Sequence, residues 1–137
     1  VIRGTVRCLD EAVRKRVAEL VAAIAGGTAG THGARAEVDY RFGYPATVNT
    51  ADAVGTALEA AGTVPDITAR RGEVGPSMAS EDFAYMLQAC PGAYAWIGTD
   101  GAQRSLPLHN PGYDFNDEAL PVGAAYWAAL ASHSLRP

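Results

Sequence analysis

The chain has 137 residues, 48% of them hydrophobic and 19% charged, and a net charge of −4. That length is room for one ordinary domain or two pieces of a larger split protein, and the composition is that of a soluble globular chain with a real core. The acidic balance excludes a broad basic surface for nucleic acid, and no apolar run reaches the roughly 18 residues a spanning helix needs.

No secretory signal is visible at the start, so a cytoplasmic location is expected. Cys8 and Cys90 lie far apart with no CxxC spacing. They read as small buried apolar residues, with a disulfide as the lesser alternative. The chain begins at Val1, without methionine and inside an alternating segment, which reads as the C-terminal part of a longer protein.

Val1 to Cys8 sets Ile2, Val6 and Cys8 against Arg3, Thr5 and Arg7, the pattern of a half-buried strand with one cationic face. Asp10 is a candidate N-cap. Val13, Val17, Leu20, Val21 and Ile24 then fall at helical spacing, and Gly26-Gly27 is expected to end that helix. Ala36, Val38, Tyr40 and Phe42 alternate with Glu37, Asp39 and Arg41, the clearest strand pattern in the sequence. Strand, helix, strand suggests half of a small α+β layer, which buries too little surface to stand alone.

Gly43-Tyr44-Pro45 is punctuation and a candidate domain boundary. A helix is expected from Thr50 or Asp52, with Val54, Leu58 and Ala61 on one face and Gly62 at its end. A short strand is expected within Val64 to Arg70. In Ser77-Met78-Ala79-Ser80-Glu81-Asp82-Phe83, Ser80 reads as an N-cap and Glu81 and Asp82 as first-turn acids, with Pro91 closing the helix. Those acids either favour the helix dipole or face a pocket.

Ala93 to Gly98 reads as a strand buried on both faces, and Gly98-Thr99-Asp100-Gly101 as a turn. In Leu106-Pro107-Leu108-His109-Asn110-Pro111, two prolines bracket His109 and bias Leu106 and Asn110 away from helix. The imidazole is thus presented from a stiff loop, suited to holding one metal ligand or one acid/base group. A lone loop histidine is also commonly just solvated. Asn116 or Asp117 reads as the N-cap of a last helix running to Ser134, with Leu120, Ala124, Trp127, Leu130 and Ala131 inward. His32 and His133 read as surface residues. The chain contains no phosphate-binding glycine loop, GxSxG or HExxH.

Several stretches together resemble a known family. They are Gly4-Thr5-Val6-Arg7, Val38-Asp39-Tyr40, Gly43 to Asn49, Ser77 to Tyr85, Pro91-Gly92-Ala93, Leu108-His109-Asn110-Pro111 with Tyr113-Asp114-Phe115, and Ala119 to Ala124. In this order and at this spacing they resemble the amidohydrolase branch of the co-catalytic zinc peptidases, which includes hippurate hydrolase, N-acyl-amino-acid amidohydrolases and indoleacetyl-amino-acid hydrolases. The resemblance covers essentially the whole chain.

The resemblance implies an α/β architecture, in which a zinc-peptidase-like mixed sheet with flanking helices is present only in part. Residues 1–44 would be the second half of an α+β lid and dimerisation domain, and residues 45–137 the C-terminal part of the α/β catalytic domain. His109 would bind one of two divalent metals, two zinc ions by expectation, with manganese, nickel or cobalt as alternatives. Met78, Ser80, Glu81 and Asn110 would line or shape the substrate cleft, and Arg7, on the polar face of the first strand, would meet substrate or only the dimer partner, the structural option being preferred.

The family's Cys-Gly-His motif, Glu-Glu pair and further histidines have no match in these residues. The implied function is therefore a share of a hydrolase of N-acyl or aryl-acyl amino acids, homodimeric through its lid, with this chain alone inactive and without tight metal binding. A non-catalytic self-associating module, or a portion of a related metallo-carboxypeptidase or deacetylase, is the alternative.

Overall fold

The computed structural model describes residues 1–99 and 106–135. Four helices occur in that span: α1 (Glu11–Thr31), α2 (Ala51–Gly62), α3 (Phe83–Ala89) and α4 (Ala119–Ser134). They fall into two compact units. The first comprises Val1–Val48 and Gly75–Cys90, the second Asn49–Val74 and Pro91–Pro137.

The α/β expectation is overturned. Among the described residues there is no strand, and the segments 1–8, 36–42 and 93–98 carry no ladder of backbone hydrogen bonds. A helix satisfies its own backbone through bonds four residues apart, whereas a strand exists only beside a partner. The alternation itself survives locally. Tyr40 and Phe42 meet edge to face with centroids 5.2 Å apart, and Tyr94 and Trp96 do so at 6.4 Å, as residues two apart on one side of a segment can. The expected strand within 64–70 is replaced at its start by a turn, with Ile67 N–H donating to the Val64 carbonyl at 3.1 Å. Of the expected turn at Gly98 to Gly101, Asp100 and Gly101 lie outside the described residues.

In the first unit, the Asp10 side chain caps α1 by accepting from Val13 N–H at 2.8 Å. Gly26 and Gly27 do not end this helix, contrary to expectation; it runs on to Thr31. Glycine weakens a helix interior by about 1 kcal/mol but stops it only where the backbone turns left-handed. That happens at Gly33, with φ of 65°. Gly33 N–H donates to the Gly30 carbonyl and Ala34 N–H to the Ala29 carbonyl, the paired bonds of a Schellman termination.

The covered face of α1 is also shifted. Of the expected stripe Val17 and Val21 are half-buried but Val13, Leu20 and Ile24 are exposed, and Arg14, Ala18 and Ala25 are half-buried in their place. Arg14 anchors this face: its guanidinium bonds the Glu11 carboxylate and the Gly43 carbonyl and sits 4.9 Å from the centre of the Phe42 ring. At α3, Tyr85 meets Tyr44 edge to face, and Ala84 is fully buried.

In the second unit, α2 and α4 pack together. Ala60 and Ala61 near the end of α2 and Val64 just after it are buried. The half-buried positions of α4 include Gly123, Tyr126, Leu130 and His133, one helical stripe. Of the expected inward stripe Leu130 is half-buried, but Ala124 and Ala131 are exposed, and Leu120 and Trp127 remain 59% and 66% exposed. The Cβ-free Gly123 lets Ile97 approach, its Cδ1 being 3.7 Å from where a Cβ would stand. Beside α2, the Asn49 side chain both donates to the Tyr94 carbonyl and accepts from Tyr94 N–H, at 2.9 and 2.8 Å. One side-chain amide thus does for Tyr94 what a neighbouring strand would do.

The expected large core is absent among the described residues, where buried apolar side chains are few and small. Without a sheet, the alternating segments have no broad face on which helices can bury their apolar stripes.

Candidate functional site

Pro107 to Tyr113 forms two successive turns. Asn110 N–H donates to the Pro107 carbonyl at 3.1 Å, and Tyr113 N–H to the Asn110 carbonyl at 2.9 Å. His109 is the third residue of the first turn and has φ of 69°, the left-handed value that a type II turn requires there. Among the described residues it is the only non-glycine with positive φ. The left-handed region costs a residue with a side chain about 1–2 kcal/mol, so flanking contacts have to hold it.

Asn110 supplies such a contact. Its Oδ1 accepts from Gly112 N–H at 2.8 Å, bracing the second turn, in which Pro111 has the position proline favours. His109, Asn110 and Leu108 are all exposed. The loop therefore presents an imidazole outward on a constrained backbone. After it, Asn116 Oδ1 accepts from Glu118 N–H and its amide donates to the Thr99 carbonyl, each at 3.2 Å. Asn116 thus braces the turn that leads into α4, three residues before the helix begins, while the N-cap position itself is Glu118 rather than the expected Asn116 or Asp117.

Met78, Ser80 and Glu81 belong to the first unit, His109 and Asn110 to the second. Ser80 does not cap α3, as its sequence context suggests; its hydroxyl accepts from Arg7 Nη1 at 3.1 Å. The same nitrogen donates to the Met78 carbonyl at 2.5 Å. The Ser77 hydroxyl accepts from Ala79 N–H at 3.2 Å, so the segment before α3 is a pinned local turn. Glu81 is half-buried and its carbonyl accepts from Ala84 N–H at 3.3 Å. An open cleft of about 640 Å³ in this unit lies between α1, Phe42, Pro45 and α3, and none of the candidate residues lines it.

Among the described residues, no group of three or more His, Cys, Asp or Glu side chains is placed to hold a metal ion. One imidazole does not make the closed set of about four ligands that a structural zinc site uses, or the three plus water of a catalytic one. His109 can be one donor to such a centre.

Two contacts were not legible in the sequence. Arg7 bonds Met78 and Ser80 rather than standing on a strand face toward substrate or a second copy, and nothing near it in the chain points to residues more than 70 positions away. His133, a surface residue by its place in the sequence, is half-buried and pairs with Glu59 of α2. No helix among the described residues is long and apolar enough to cross a membrane.

Residues 3–133 match the model of the peptidase family M20/M25/M40. A hippurate hydrolase of Campylobacter jejuni is 32% identical over 135 residues, spanning 98% of this chain and 34% of that protein. An N-acetylcysteine deacetylase of Bacillus subtilis is 32% identical over 130 residues, spanning 95% of this chain and 33% of that protein. Thermostable carboxypeptidase 1 of Saccharolobus solfataricus is 29% identical over 133 residues, with shares of 95% and 33%. The chain spans about a third of the length of the curated relatives it matches. No solved structure matches it.

Proposed function

Because this chain belongs to the peptidase family M20/M25/M40, we propose that it is a C-terminal portion of a metal-dependent amidohydrolase that cleaves N-acyl and aryl-acyl amino acids. Residues 1–44 are the second half of its lid, through which two copies pair, and residues 45–137 the returning part of its catalytic domain. His109 supplies one ligand to a two-metal centre, zinc by preference, whose other ligands come from the rest of the polypeptide. Met78, Ser80, Glu81 and Asn110 shape the substrate cleft.

The observation that carries this reading is the backbone of His109. An exposed histidine held at φ of 69° between two hydrogen-bonded turns is a costly arrangement for a merely solvated side chain. Strain of this kind collects where a side chain has to point in one direction. Hydrolysis of an amide needs an activated water, a base for its proton and an electrophile for the carbonyl oxygen. A single imidazole supplies none of these by itself, so the isolated chain is inactive and binds metal only weakly.

The test is a chimera joining residues 1–137 to the preceding two-thirds of the Campylobacter hippurate hydrolase. It is loaded with zinc, manganese, cobalt or nickel and assayed on N-acyl amino acids and on peptides. The expected result is hydrolysis of N-acyl amino acids that His109→Ala abolishes together with about one metal equivalent. A folded, metal-loaded chimera whose hydrolysis and metal content ignore His109→Ala overturns the reading, and cleavage of peptides alone shifts it to a carboxypeptidase.

A further inference from the structure

We infer that Arg7 is a positioning residue for the Met78–Ser80 segment: one guanidinium nitrogen holds both the Met78 carbonyl and the Ser80 hydroxyl, setting the cleft wall that leads into α3. The inference rests on the proposed function only in calling that segment a cleft wall; the contact itself lies wholly within the first unit.

Three observations converge. Nη1 of Arg7 reaches acceptors 71 and 73 positions along the chain, at 2.5 and 3.1 Å, so a bond from an early segment fixes a late one. Met78 to Ser80 precedes α3 and is exposed, with no helix or ladder of its own to hold it. Its internal order is one side-chain bond, from Ala79 N–H to the Ser77 hydroxyl. Glu81 comes next, and its carbonyl opens the first turn of α3. A constraint at Met78 and Ser80 is therefore passed to Glu81 by the chain itself. Charge also favours the arrangement: the guanidinium is always protonated and can only donate, and it meets two acceptors at one atom.

The experiment is amide hydrogen exchange on the 137-residue chain, comparing Arg7→Ala, Arg7→Lys and Ser80→Ala with the unsubstituted protein. In Arg7→Ala the bonded amides of Ala79, Ala84 and Tyr85 exchange roughly fivefold faster, the factor that about 1 kcal/mol of lost hydrogen bonding produces. Arg7→Lys restores part of the protection, since an ammonium can still donate to the Met78 carbonyl. Ser80→Ala gives a smaller rise and adds less than its own effect when combined with Arg7→Ala. The amides of α2 and α4 do not change. Unchanged rates at Ala79, Ala84 and Tyr85 in Arg7→Ala, no protection there in the unsubstituted chain, no rescue by lysine, or an equal rise in α2 and α4 each overturns the inference. None of these outcomes bears on His109, whose role is read from metal content, so the two proposals fail separately.

Discussion

Nε2 of His133 lies 2.9 Å from Oε2 of Glu59, joining the last turn of α4 to α2. The imidazole is 28% exposed and the carboxylate 70%, so solvent screens the pair strongly. His133→Ala and Glu59→Gln are each expected to lower stability by less than about 1 kcal/mol, with a coupling of roughly 0.2–1 kcal/mol. A double-mutant cycle by urea unfolding checks this. Strict additivity would mean that packing alone holds α4 on α2.

Glycines close together in one tract should respond with opposite signs. At Gly26 and Gly27 an added Cβ meets nothing within 4 Å, and the backbone there is helical. Alanine at either is expected to stabilise by about 0.5–1 kcal/mol. Gly33 has equally open space but φ of 65°, so Gly33→Ala is expected to cost about 1–2 kcal/mol and to fray the end of α1. Thermal unfolding followed by helical circular dichroism distinguishes the two.

At His109, stability and function should come apart. His109→Gly relieves a left-handed backbone and is expected to leave the melting temperature unchanged or raise it. His109→Val places a β-branched residue at φ of 69° and is expected to cost about 1–2 kcal/mol. Both remove the imidazole, so both should silence the hippurate-hydrolase chimera. Retained hydrolysis in the glycine variant would end the case for a metal ligand.

Burial raises the pKa of Tyr126 above the ordinary tyrosine value of 10.0. The unfolded chain then releases this proton first, so the folded state binds more protons above pH 10. Stability is unaffected below about pH 10, falls as pH rises through the window up to the folded pKa, and levels off beyond it. Tyr126→Phe should flatten that alkaline decline. Ultraviolet titration of the phenols, with the phenylalanine variant identifying the late-ionising group, measures the shift directly.

Much of the helical content was legible along the chain. Thr50 stands at the N-cap of α2, though its hydroxyl donates to the Gly92 carbonyl rather than capping the helix, Gly62 is the last residue of α2, and Pro91 stops α3 one residue after its cap. These signals are local, because capping and proline geometry act within one turn. The faces were less legible. Periodicity marks which residues could face inward, but Trp127 and Leu120 stay exposed while Gly123 and Tyr126 are covered. Which stripe a helix buries depends on what lies beside it, and no single segment contains that information.

The candidate site divides in the same way. Pro107, Pro111 and Asn110 announce a stiff loop by their own chemistry, and the left-handed His109 follows from two short-range turns. The bonds from Arg7 to Met78 and Ser80, and from His133 to Glu59, announce nothing in advance, since each joins residues more than 70 positions apart. Order along the chain was enough to place the helices, the family motifs and the loop around His109, because each rests on interactions spanning a few residues. Only the tertiary structure decided that the alternating segments would stay unpaired, which helix stripes would be covered and what Arg7 would hold, because those outcomes depend on partners the neighbouring sequence does not specify.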